Sequence, residues 1–518
     1  MPEAIRYPEM NNFEDPLHQP LLKRIIPWLP QGVPIYLVGG VVRDSLLKRQ
    51  SYDLDFVTGG EALKIARKLA NDLGGAYFPL DTRRKVARVV LKVEAEPEGP
   101  TRHSTKLDVS AYQGKDLESD LEGRDFTINA MALDAHKLDK LIDPLGGAQD
   151  LLDKRLRACT PGSFLNDPVR ILRAARFAVD LKLNIVVETF HRMREAVPHL
   201  PEISAERLRD ELFRVLALEH ASTALRLLDQ AGALEYIIPE VCMLKGVVQS
   251  PPHVMDAWEH TLDLLTRLDS LLEILTLDYD PDKTANLGMG MVALQLGRYR
   301  QPLSEHLYNA LNPDRPHRGL LFLAGLYHDV GKNASASGEA GGKIRFIGHE
   351  HLGSQLVEQR GLALKLSNLE INRLVTIVRH HMRPSLLSHG EATPSRKAIY
   401  HFFRDTGAAG VDICIISLAD ILATYGPTLP ADRWARHLDV VRRLLGAWWE
   451  GKDDEIFPAA IVDGKDLMKA LGISPGPLVG YMLEAIREAQ INQEIHTQEE
   501  AFNLAERLMR QELDKKTG

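Results

Sequence analysis

The chain has 518 residues, of which 44% are hydrophobic and 26% are charged, and its formal net charge is −8. This composition excludes a disordered or fibrous chain and predicts a globular protein of about three or four domains. Because the chain is acidic overall, any binding of nucleic acid has to come from a local basic face.

The sequence predicts neither a targeting segment nor a membrane span. The N-terminal segment "MPEAIRYPEMNNFEDPL" is acidic and lacks an apolar core, so we expect no signal peptide. We find no run of about 18 apolar residues that would predict a membrane-spanning helix. The cysteines Cys159, Cys242 and Cys414 lack the spacing of metal ligands, which is typical of a reducing cytosol. We therefore expect a cytoplasmic protein.

Residues 35–150 alternate short apolar runs with turn signals. In chain order, strands are predicted for "IYLVGG", "YDLDFVT", "KVARVVLKVEA", "TKLDVSAY" and "FTINAMALD". Helices are predicted for "VVRDSLLK", after the first strand, and for "GEALKIARKLANDLGG", after the second. This part of the chain should form a small mixed sheet with helices.

After residue 150 the sequence changes to long stretches with helical spacing and almost no strand signals. Breaks fall near 245–252, 333–345 and 451–463. We predict the α+β class, with a small mixed β-sheet head followed by an elongated all-α neck, body and tail. The predicted ranges are 1–150 for the head, 151–245 for the neck, 246–450 for the body and 451–518 for the tail.

Two aspartates stand one residue apart in the predicted strand "YDLDFVT". Residues two apart on a strand point to the same side, so Asp53 and Asp55 should project together. Carboxylates this close repel each other, and a bound Mg²⁺, which prefers oxygen ligands, would remove the repulsion. On its own the pattern is common, and a capping role in a loop is the alternative.

Three further features should lie near this pair. Gly39 and Gly40 end the preceding strand just before a helix, where backbone N–H groups can hold a phosphate. Arg43, one turn later, could reach a triphosphate, and Asp108 on a later strand could supply a third carboxylate. Two Mg²⁺ ions held by three carboxylates beside a phosphate site are suited to in-line phosphoryl or nucleotidyl transfer.

The segment "NDPVRILRAARF" predicts a helix with polar residues every third position. Its first two residues can cap a helix, and its proline suits the first turn. Asp167 and Arg170 should face one way, and Arg173 and Arg176 another, because each step of three rotates the direction by about 60°. An Asp–Arg pair offers acceptors and donors that can bind the edge of a base. From the residues alone, a salt-bridged helix surface is favoured over base recognition.

The predicted body carries a second constellation of ligand-type residues. An adjacent His-Asp in "GLYHDVGK" is accompanied by an upstream histidine, two downstream histidines and a downstream aspartate. Imidazoles with a bridging carboxylate select transition metals such as Mn²⁺, Fe²⁺, Co²⁺ or Ni²⁺, which can activate water for phosphoester hydrolysis. The candidate ligands are His260, His328, Asp329, His349, His381 and Asp420. The pattern is similar to that of two-metal members of the HD phosphohydrolase superfamily.

Several motifs together resemble a known family. "YLVGGVVRDSLL", "YDLDFV", "LDVS", "RDFTINAMALD" and "NDPVRILRAARF" occur in the order seen in class II tRNA nucleotidyltransferases, which include CCA-adding enzymes, CC-adding and A-adding relatives and bacterial poly(A) polymerases. The similarity covers about residues 35–230, and the tail segment "GKDLMKALGISPGPLVGY" is also similar to that of many members. The family usually has two arginines before the aspartate of "RDFTINA", whereas here the first is Gly123.

The resemblance implies roles for matching positions. Asp53 and Asp55 would bind Mg²⁺, with Asp108 as the assisting carboxylate. Asp167 and Arg170 would act as a protein template for the incoming base. The residues expected to contact the nucleotide are Gly39, Gly40, Arg43, Arg124, Asp125, Asn129, Asp167, Arg170, Arg173 and Arg176.

The resemblance also implies an activity and partners. We expect an enzyme that adds or repairs the 3′-terminal CCA of tRNA with CTP and ATP, with a second phosphohydrolase activity in the HD-type body. The alternatives are an A-adding enzyme or poly(A) polymerase of the same family, or an HD-type 2′,3′-cyclic phosphodiesterase as the main activity. We expect tRNA, CTP and ATP as partners, no membrane, and a monomer or homodimer.

Overall fold

The computed structural model describes residues 20–51, 53–91, 105–138, 140–277, 279–280, 287–309, 311–312, 315–338, 344–390, 393–452 and 456–517. The chain divides into two compact units. One is drawn from Met1–Ser204 and Arg226–Tyr236, and the other from Ala205–Leu225 and Ile237–Gly518. The finer division into head, neck, body and tail stays a prediction.

The first unit is built on a seven-stranded sheet. Its strands are β1 (Ile35–Val38), β2 (Asp53–Thr58), β3 (Ala76–Asp81), β4 (Val86–Leu91), β5 (Thr105–Ala111), β6 (Ala132–Asp134) and β7 (Leu141–Ile142), in the spatial order β3-β4-β5-β2-β1-β6-β7. β2 and β5 pair in parallel, and the other neighbours are antiparallel. The sheet is therefore mixed, as predicted, although β3 and β7 were not anticipated.

Helices pack on this sheet because the strands bury alternate residues. The helices of the first unit are α1 (Pro20–Ile25), α2 (Gly40–Leu46), α3 (Ala62–Leu73), α4 (Leu117–Glu122), α5 (Gly147–Leu152), α6 (Ser163–Asn166), α7 (Arg170–Asp180) and α8 (Val187–Ala196). The amphipathic α3 ends at Gly74 in the left-handed conformation and buries Ile65 and Leu69 against Val89 and Leu107 of the sheet. A short parallel pair, β8 (Arg155–Leu156) and β9 (Asn184–Ile185), interrupts a region predicted to be all helical.

The second unit is mostly helical, as predicted. It contains α9 (Ala205–Leu216) and α12 (Pro239–Cys242), and the chain passes between the two units within α10 (Ala221–Gln230) and α11 (Leu234–Ile237). The body helices are α13 (Ala257–Ile274), α14 (Leu287–Leu296), α15 (Arg300–Tyr308), α16 (His317–Tyr327), α17 (Lys332–Ser335), α18 (His349–Ala363), α19 (Asn368–His380), α20 (Arg383–Leu387), α21 (Arg396–Thr406), α22 (Ala409–Tyr425) and α23 (Ala431–Trp449). The last helices are α24 (Gly464–Leu471), α25 (Pro477–Ile491) and α26 (Gln498–Thr517), which enclose a small apolar core of their own.

Two predictions for this unit need correction. The break at 333–345 holds α17 and a small hairpin of β10 (Ala336–Gly338) and β11 (Ile344–Phe346), and residues 339–343 lie outside the described residues. One stretch, Ala409–Thr428, is long and apolar enough to pass as a membrane span, contrary to the expectation from sequence. Its apolar window is 72% buried inside the protein, as in the core helix of a globular domain.

A buried polar cluster ties four of the body helices together. Asp412 on α22 accepts hydrogen bonds at Oδ1 from His306 Nε2 and His317 Nε2, both at 2.9 Å, and at Oδ2 from Arg373 Nη1 at 2.9 Å. Burial alone would raise the pKa of Asp412, but the two histidines outweigh it and hold the pKa well below its usual range. Sequence patterns did not predict this cluster, because its members are separated by up to 106 positions.

We predict that Asp412→Asn lowers the free energy of unfolding at pH 7 by about 3 kcal/mol, since it removes the charge that three buried donors share. Because the pKa of Asp412 is depressed in the folded protein, its stabilisation is complete above the unfolded pKa of about 3.9 and is lost as the pH falls through the folded value. The difference in the free energy of unfolding between variant and parent, measured by urea unfolding, should therefore become smaller from pH 5 towards pH 3. Asp439→Asn, at a partly exposed ion pair with Arg442, is the matched control and should change little. An equal loss in both variants would contradict the prediction.

Candidate functional site

Three carboxylates converge on one face of the sheet. Asp55 of β2 lies directly opposite Asp108 in the parallel pairing with β5, and Asp53 is two residues before Asp55 on the same strand. Residues in register on neighbouring strands, and residues two apart on one strand, point to the same face. The sequence analysis predicted that Asp108 would lie near Asp53 and Asp55, and the register of β2 with β5 agrees with this.

The electrostatics of this group favour a cation. The pKa of Asp55 is raised to about 6, first by burial and then by the Asp108 and Asp53 carboxylates, and Arg124 and Arg88 oppose this rise. Desolvation and like charge are the two conditions under which a carboxylate tends to keep its proton. A set of three oxygen donors under mutual repulsion fits Mg²⁺.

Arg88 of β4 is a member of this face that the sequence analysis missed. It lies in register with Asp108 across the antiparallel β4–β5 pair. Its guanidinium grips the carboxylate with two parallel hydrogen bonds, Nε to Oδ1 at 2.8 Å and Nη2 to Oδ2 at 2.7 Å. The only signal in the sequence was the alternation of "VARVVL", which puts Arg88 on the face opposite the buried Ala87 and Val89.

The turn between β1 and α2 approaches the carboxylates closely. Gly39 has φ of +76°, and a Cβ there would lie 3.0 Å from Arg124 Nη1 and 3.4 Å from Asp55 Oδ2. Glycine is therefore required both by the backbone conformation and by the space. Gly40 begins α2, and the phosphate-binding role of both glycines stays a prediction.

The residues predicted to contact ribose and phosphate form an internal network. Arg43 is buried and donates to Asn129 Oδ1 at 2.7 Å and to Asp44 Oδ1. Asn129 donates to Asp125 Oδ1 at 3.0 Å, and Arg173 binds Asp125 Oδ2 at 2.6 and 2.8 Å. Burial would raise the pKa of Asp125, but Arg173 and Asn129 lower it below its usual value, so this carboxylate is ionised. The network joins α2, the "RDFTINA" segment and α7.

Three arginines surround one aromatic ring on α7. The guanidinium carbons of Arg43, Arg173 and Arg176 lie 5.1, 5.4 and 4.3 Å from the centroid of the Phe177 ring. This concentration of positive charge is the local basic feature that an acidic chain needs for a polyphosphate. Arg124, the fourth arginine of the site, pairs with Asp120 at 3.2 Å.

Asp167 and Arg170 lie close together, but only Arg170 lies on the helix, whereas the prediction counted both as helical. α7 begins at Arg170, its N-cap is Val169 without a side-chain cap, and Asp167 has extended backbone before the helix. The predicted capping by Asn166 or Asp167 is therefore wrong, and the rotation of 60° per step applies only from Arg170 onward. Arg170 Nε lies 4.0 Å from Asp167 Oδ2, and its Nη atoms donate to the carbonyl oxygens of Arg124 at 3.0 Å and Gly123 at 2.9 Å.

The second unit brings together all six ligand-type residues predicted for the body. They form two groups whose donor atoms lie within 4.8 Å of one another: His260, His328 and Asp420, and Asp329, His349 and His381. Asp329 also joins the groups, since its Oδ2 lies 3.1 Å from His328 Nε2 and its Oδ1 lies 3.2 Å from His349 Nε2. His349 and His381 reach Asp329 Oδ1 at 3.2 and 3.7 Å, whereas the nearby His351 and His380 belong to neither group.

The imidazoles of this centre are held for coordination through Nε2. The Nδ1 atoms of His328, His349 and His381 each lie 2.7 Å from a backbone carbonyl oxygen three residues earlier. A carbonyl only accepts, so Nδ1 carries a proton, and in the neutral ring Nε2 is the nitrogen that would bind a metal. The Nε2 atoms of His260, His328 and His349 are buried without a hydrogen-bond partner. Buried acceptors of this kind, with a bridging carboxylate, fit two transition-metal ions.

Lys332 and Gln249 complete the surroundings of Asp329. Lys332 Nζ lies 2.6 Å from Asp329 Oδ2 and 2.6 Å from Gln249 Oε1, and both side chains are buried. Burial raises the pKa of Asp329, but His328 and Lys332 lower it far more, and the pKa lies well below its usual range. The bridging carboxylate is therefore ionised and ready to bind cations.

We predict that the full chain, loaded with Ni²⁺ and desalted, retains nickel in the body, and that His328→Ala loses at least one ion per chain. The expected loss follows from the removal of one of three donors in a group that binds through imidazole and carboxylate. Metal content by mass spectrometry measures it. His191→Ala, at an exposed position on α8 outside every group of ligand-type residues, is the matched histidine control and should retain the parent's nickel content. Equal losses in the two variants would contradict the assignment.

Comparison with known proteins finds related sequences along most of the chain. The Poly A polymerase head domain matches residues 35–157, and the family model described as the "probable RNA and SrmB-binding site of polymerase A" matches 182–244. The HD domain matches 287–425, and the second domain of tRNA nucleotidyltransferases matches 460–505. The order agrees with the motifs found in the sequence.

Whole-length relatives are tRNA nucleotidyltransferases. A CC-adding tRNA nucleotidyltransferase of Geobacter sulfurreducens is 31% identical, over 91% of this chain and 91% of the relative. An A-adding tRNA nucleotidyltransferase of Deinococcus radiodurans is 30% identical, over 93% and 96%. A CCA-adding enzyme solved in complex with ATP superposes with a TM-score of 0.59 at 20% identity, over 97% of this chain and 98% of that one, which shows the fold alone.

Proposed function

The chain belongs to the family of tRNA nucleotidyltransferases and poly(A) polymerases with an HD-type body, and on this premise we propose that its head builds or repairs the 3′-terminal CCA of tRNA from CTP and ATP. The observation that carries the proposal is the convergence of Asp53, Asp55 and Asp108 on one face of the sheet. The chemistry is the transfer of a nucleotidyl group to the 3′-hydroxyl of the tRNA.

Each part of the site has a task in this reaction. The 3′-oxygen forms a bond to the α-phosphorus while the bond from that phosphorus to the bridging oxygen breaks, and pyrophosphate leaves. Two Mg²⁺ ions at the carboxylates would activate the hydroxyl and neutralise the triphosphate. The arginines around Phe177 supply positive charge for the phosphates. Asp167 and Arg170, whose nearest charged atoms lie 4.0 Å apart, would offer an acceptor and donors to the edge of the incoming base.

We predict that Asp53→Asn combined with Asp55→Asn lowers Mg²⁺-dependent incorporation of labelled CTP or ATP into tRNA at least about 100-fold, because metal-assisted charge neutralisation contributes several kcal/mol to such transition states. Asp81→Asn is the matched control. Asp81 ends β3 at the far side of the same sheet and accepts hydrogen bonds from the backbone N–H groups of Arg83 and Arg84. Unchanged incorporation by the double variant would refute the site.

A second candidate is the addition of only part of the CCA end. Of the two whole-length relatives described above, one is named as CC-adding and the other as A-adding. The single Asp–Arg template pair is compatible with either specificity.

A stepwise assay separates these candidates. tRNA ending in the discriminator base, in C and in CC is incubated with CTP or ATP singly. A CCA-adding enzyme should use CTP on the first two ends and ATP on the third. Use of CTP alone, or of ATP on CC ends alone, would establish partial addition in place of the full reaction, and repeated ATP addition to any end would indicate a poly(A) polymerase.

The body supports a second activity, the hydrolysis of phosphoesters such as 2′,3′-cyclic phosphates. Its support is the bridged arrangement of Asp329 between two groups of donors, which suits water activation. We predict that bis-p-nitrophenyl phosphate or a 2′,3′-cyclic nucleotide is hydrolysed faster with added Ni²⁺ or Mn²⁺, and that His328→Ala abolishes this while nucleotide incorporation persists. Hydrolysis without any incorporation by the parent enzyme would make the body the main activity, and no turnover with any of the metals would discard the second activity.

A further inference from the structure

We propose that Arg88 is a positioning residue that holds Asp108 in the metal-free head and sets the affinity of the three carboxylates for divalent cations. This inference rests on the proposed function of the head. It assigns a task to a residue that the motifs of the sequence do not contain.

Arg88 and Asp108 form a bidentate ion pair, in which one guanidinium donates to both oxygens of one carboxylate. Both oxygens of Asp108 accept from Arg88, at 2.8 Å from Nε and 2.7 Å from Nη2. Such a pair fixes the plane of the carboxylate as well as its position. Each oxygen of Asp108 has a second lone pair, so a cation that uses Asp108 as a ligand would share an oxygen with one of these donors.

The charge of Arg88 reaches the whole trio. Arg88 binds Asp108, Asp108 lies opposite Asp55 in the β2–β5 pairing, and Asp53 is two residues before Asp55 on the same strand, so the guanidinium lies beside all three carboxylates. The guanidinium therefore neutralises part of the negative charge that would otherwise attract a cation. It competes with metal ions by charge, and it keeps Asp108 oriented beside Asp55 when no cation is present.

A purely structural role explains the pair less well. β4 and β5 are already held in register at six pairs of residues, from Val86 with Ser110 to Leu91 with Thr105. The side chains of Arg88 and Asp108 are 34% and 25% exposed, so solvent screens part of the stability that their ion pair gives to the strands. The buried neighbours Ala87, Val89, Leu107 and Val109 hold the strands from the other face.

The test is a titration of the full chain with Mn²⁺, in which electron paramagnetic resonance measures the concentration of the free ion. The body also offers metal ligands, so the head component is defined as the binding lost in Asp53→Asn/Asp55→Asn. We expect Arg88→Gln to tighten the head dissociation constant about 3- to 10-fold, because a unit charge a few ångströms from the metal is removed. Arg88→Lys keeps the charge but loses the bidentate geometry, and should change the head dissociation constant less than 3-fold.

Despite tighter binding of metal, Arg88→Gln should incorporate nucleotides at saturating Mg²⁺ about 10-fold more slowly, since Asp108 is no longer held.

Arg84→Gln is the matched control, since it removes an arginine from the turn before β4 whose ion-pair partner is Asp81, and the head constant should stay unchanged. The proposal is overturned if Arg88→Gln unfolds at the same temperature as the parent and binds Mn²⁺ with unchanged or weaker affinity. If Arg88→Gln unfolds, Arg88→Met is measured in its place with the same expectation, and unfolding of both overturns the proposal in favour of a structural role. If Asp53→Asn/Asp55→Asn removes no Mn²⁺ binding, the failure lies in the proposed function of the head and not in Arg88.

Discussion

The parallel pairing of β2 with β5 is the constraint on which the head depends. Within the described part of the seven-stranded sheet every other pairing is antiparallel. Parallel neighbours need a crossover, and here the chain between them supplies α3, β3 and β4. The crossover delivers Asp108 in register with Asp55, and it also delivers Arg88 to the strand beside Asp108. A shift of one residue in this register would turn Asp108 into the opposite face and leave the aspartate pair without its third member.

The two candidate sites use the same electrostatic principle with different donors. In the head, burial and neighbouring carboxylates push the pKa of Asp55 upward, and oxygen donors await a hard cation. In the body, Asp329 and Asp420 lie among imidazoles, and His328 and Lys332 hold the pKa of Asp329 well below its usual range. The head thus collects carboxylates alone, whereas the body combines two carboxylates with imidazole nitrogens. This difference in donors matches a magnesium-type chemistry in the head and a transition-metal chemistry in the body.

The sequence was most informative where local periodicity sets geometry. The strand period placed Asp53 and Asp55 on one face. The six body ligands were identified by residue type, from an adjacent His-Asp with further histidines and an aspartate in the order of the HD pattern. It was least informative where a contact depends on the register of distant segments. Arg88 reaches Asp108 only through the β4–β5 pairing, and Asp412 collects donors from three other helices. Asp167 was misplaced for a local reason, since it has extended backbone and a turn at Pro168 and Val169 separates it from the helix that begins at Arg170.

The anchoring of the body histidines by main-chain carbonyls has a consequence for how such centres diverge. Gly325, Phe346 and Val378 hold the rings of His328, His349 and His381 through atoms that every amino acid possesses. Substitutions at these three positions that preserve the backbone path leave the ring orientation and its protonated nitrogen as they are. The support of this centre can thus drift in sequence while its coordination chemistry stays constant, and an alignment of side chains would not reveal it.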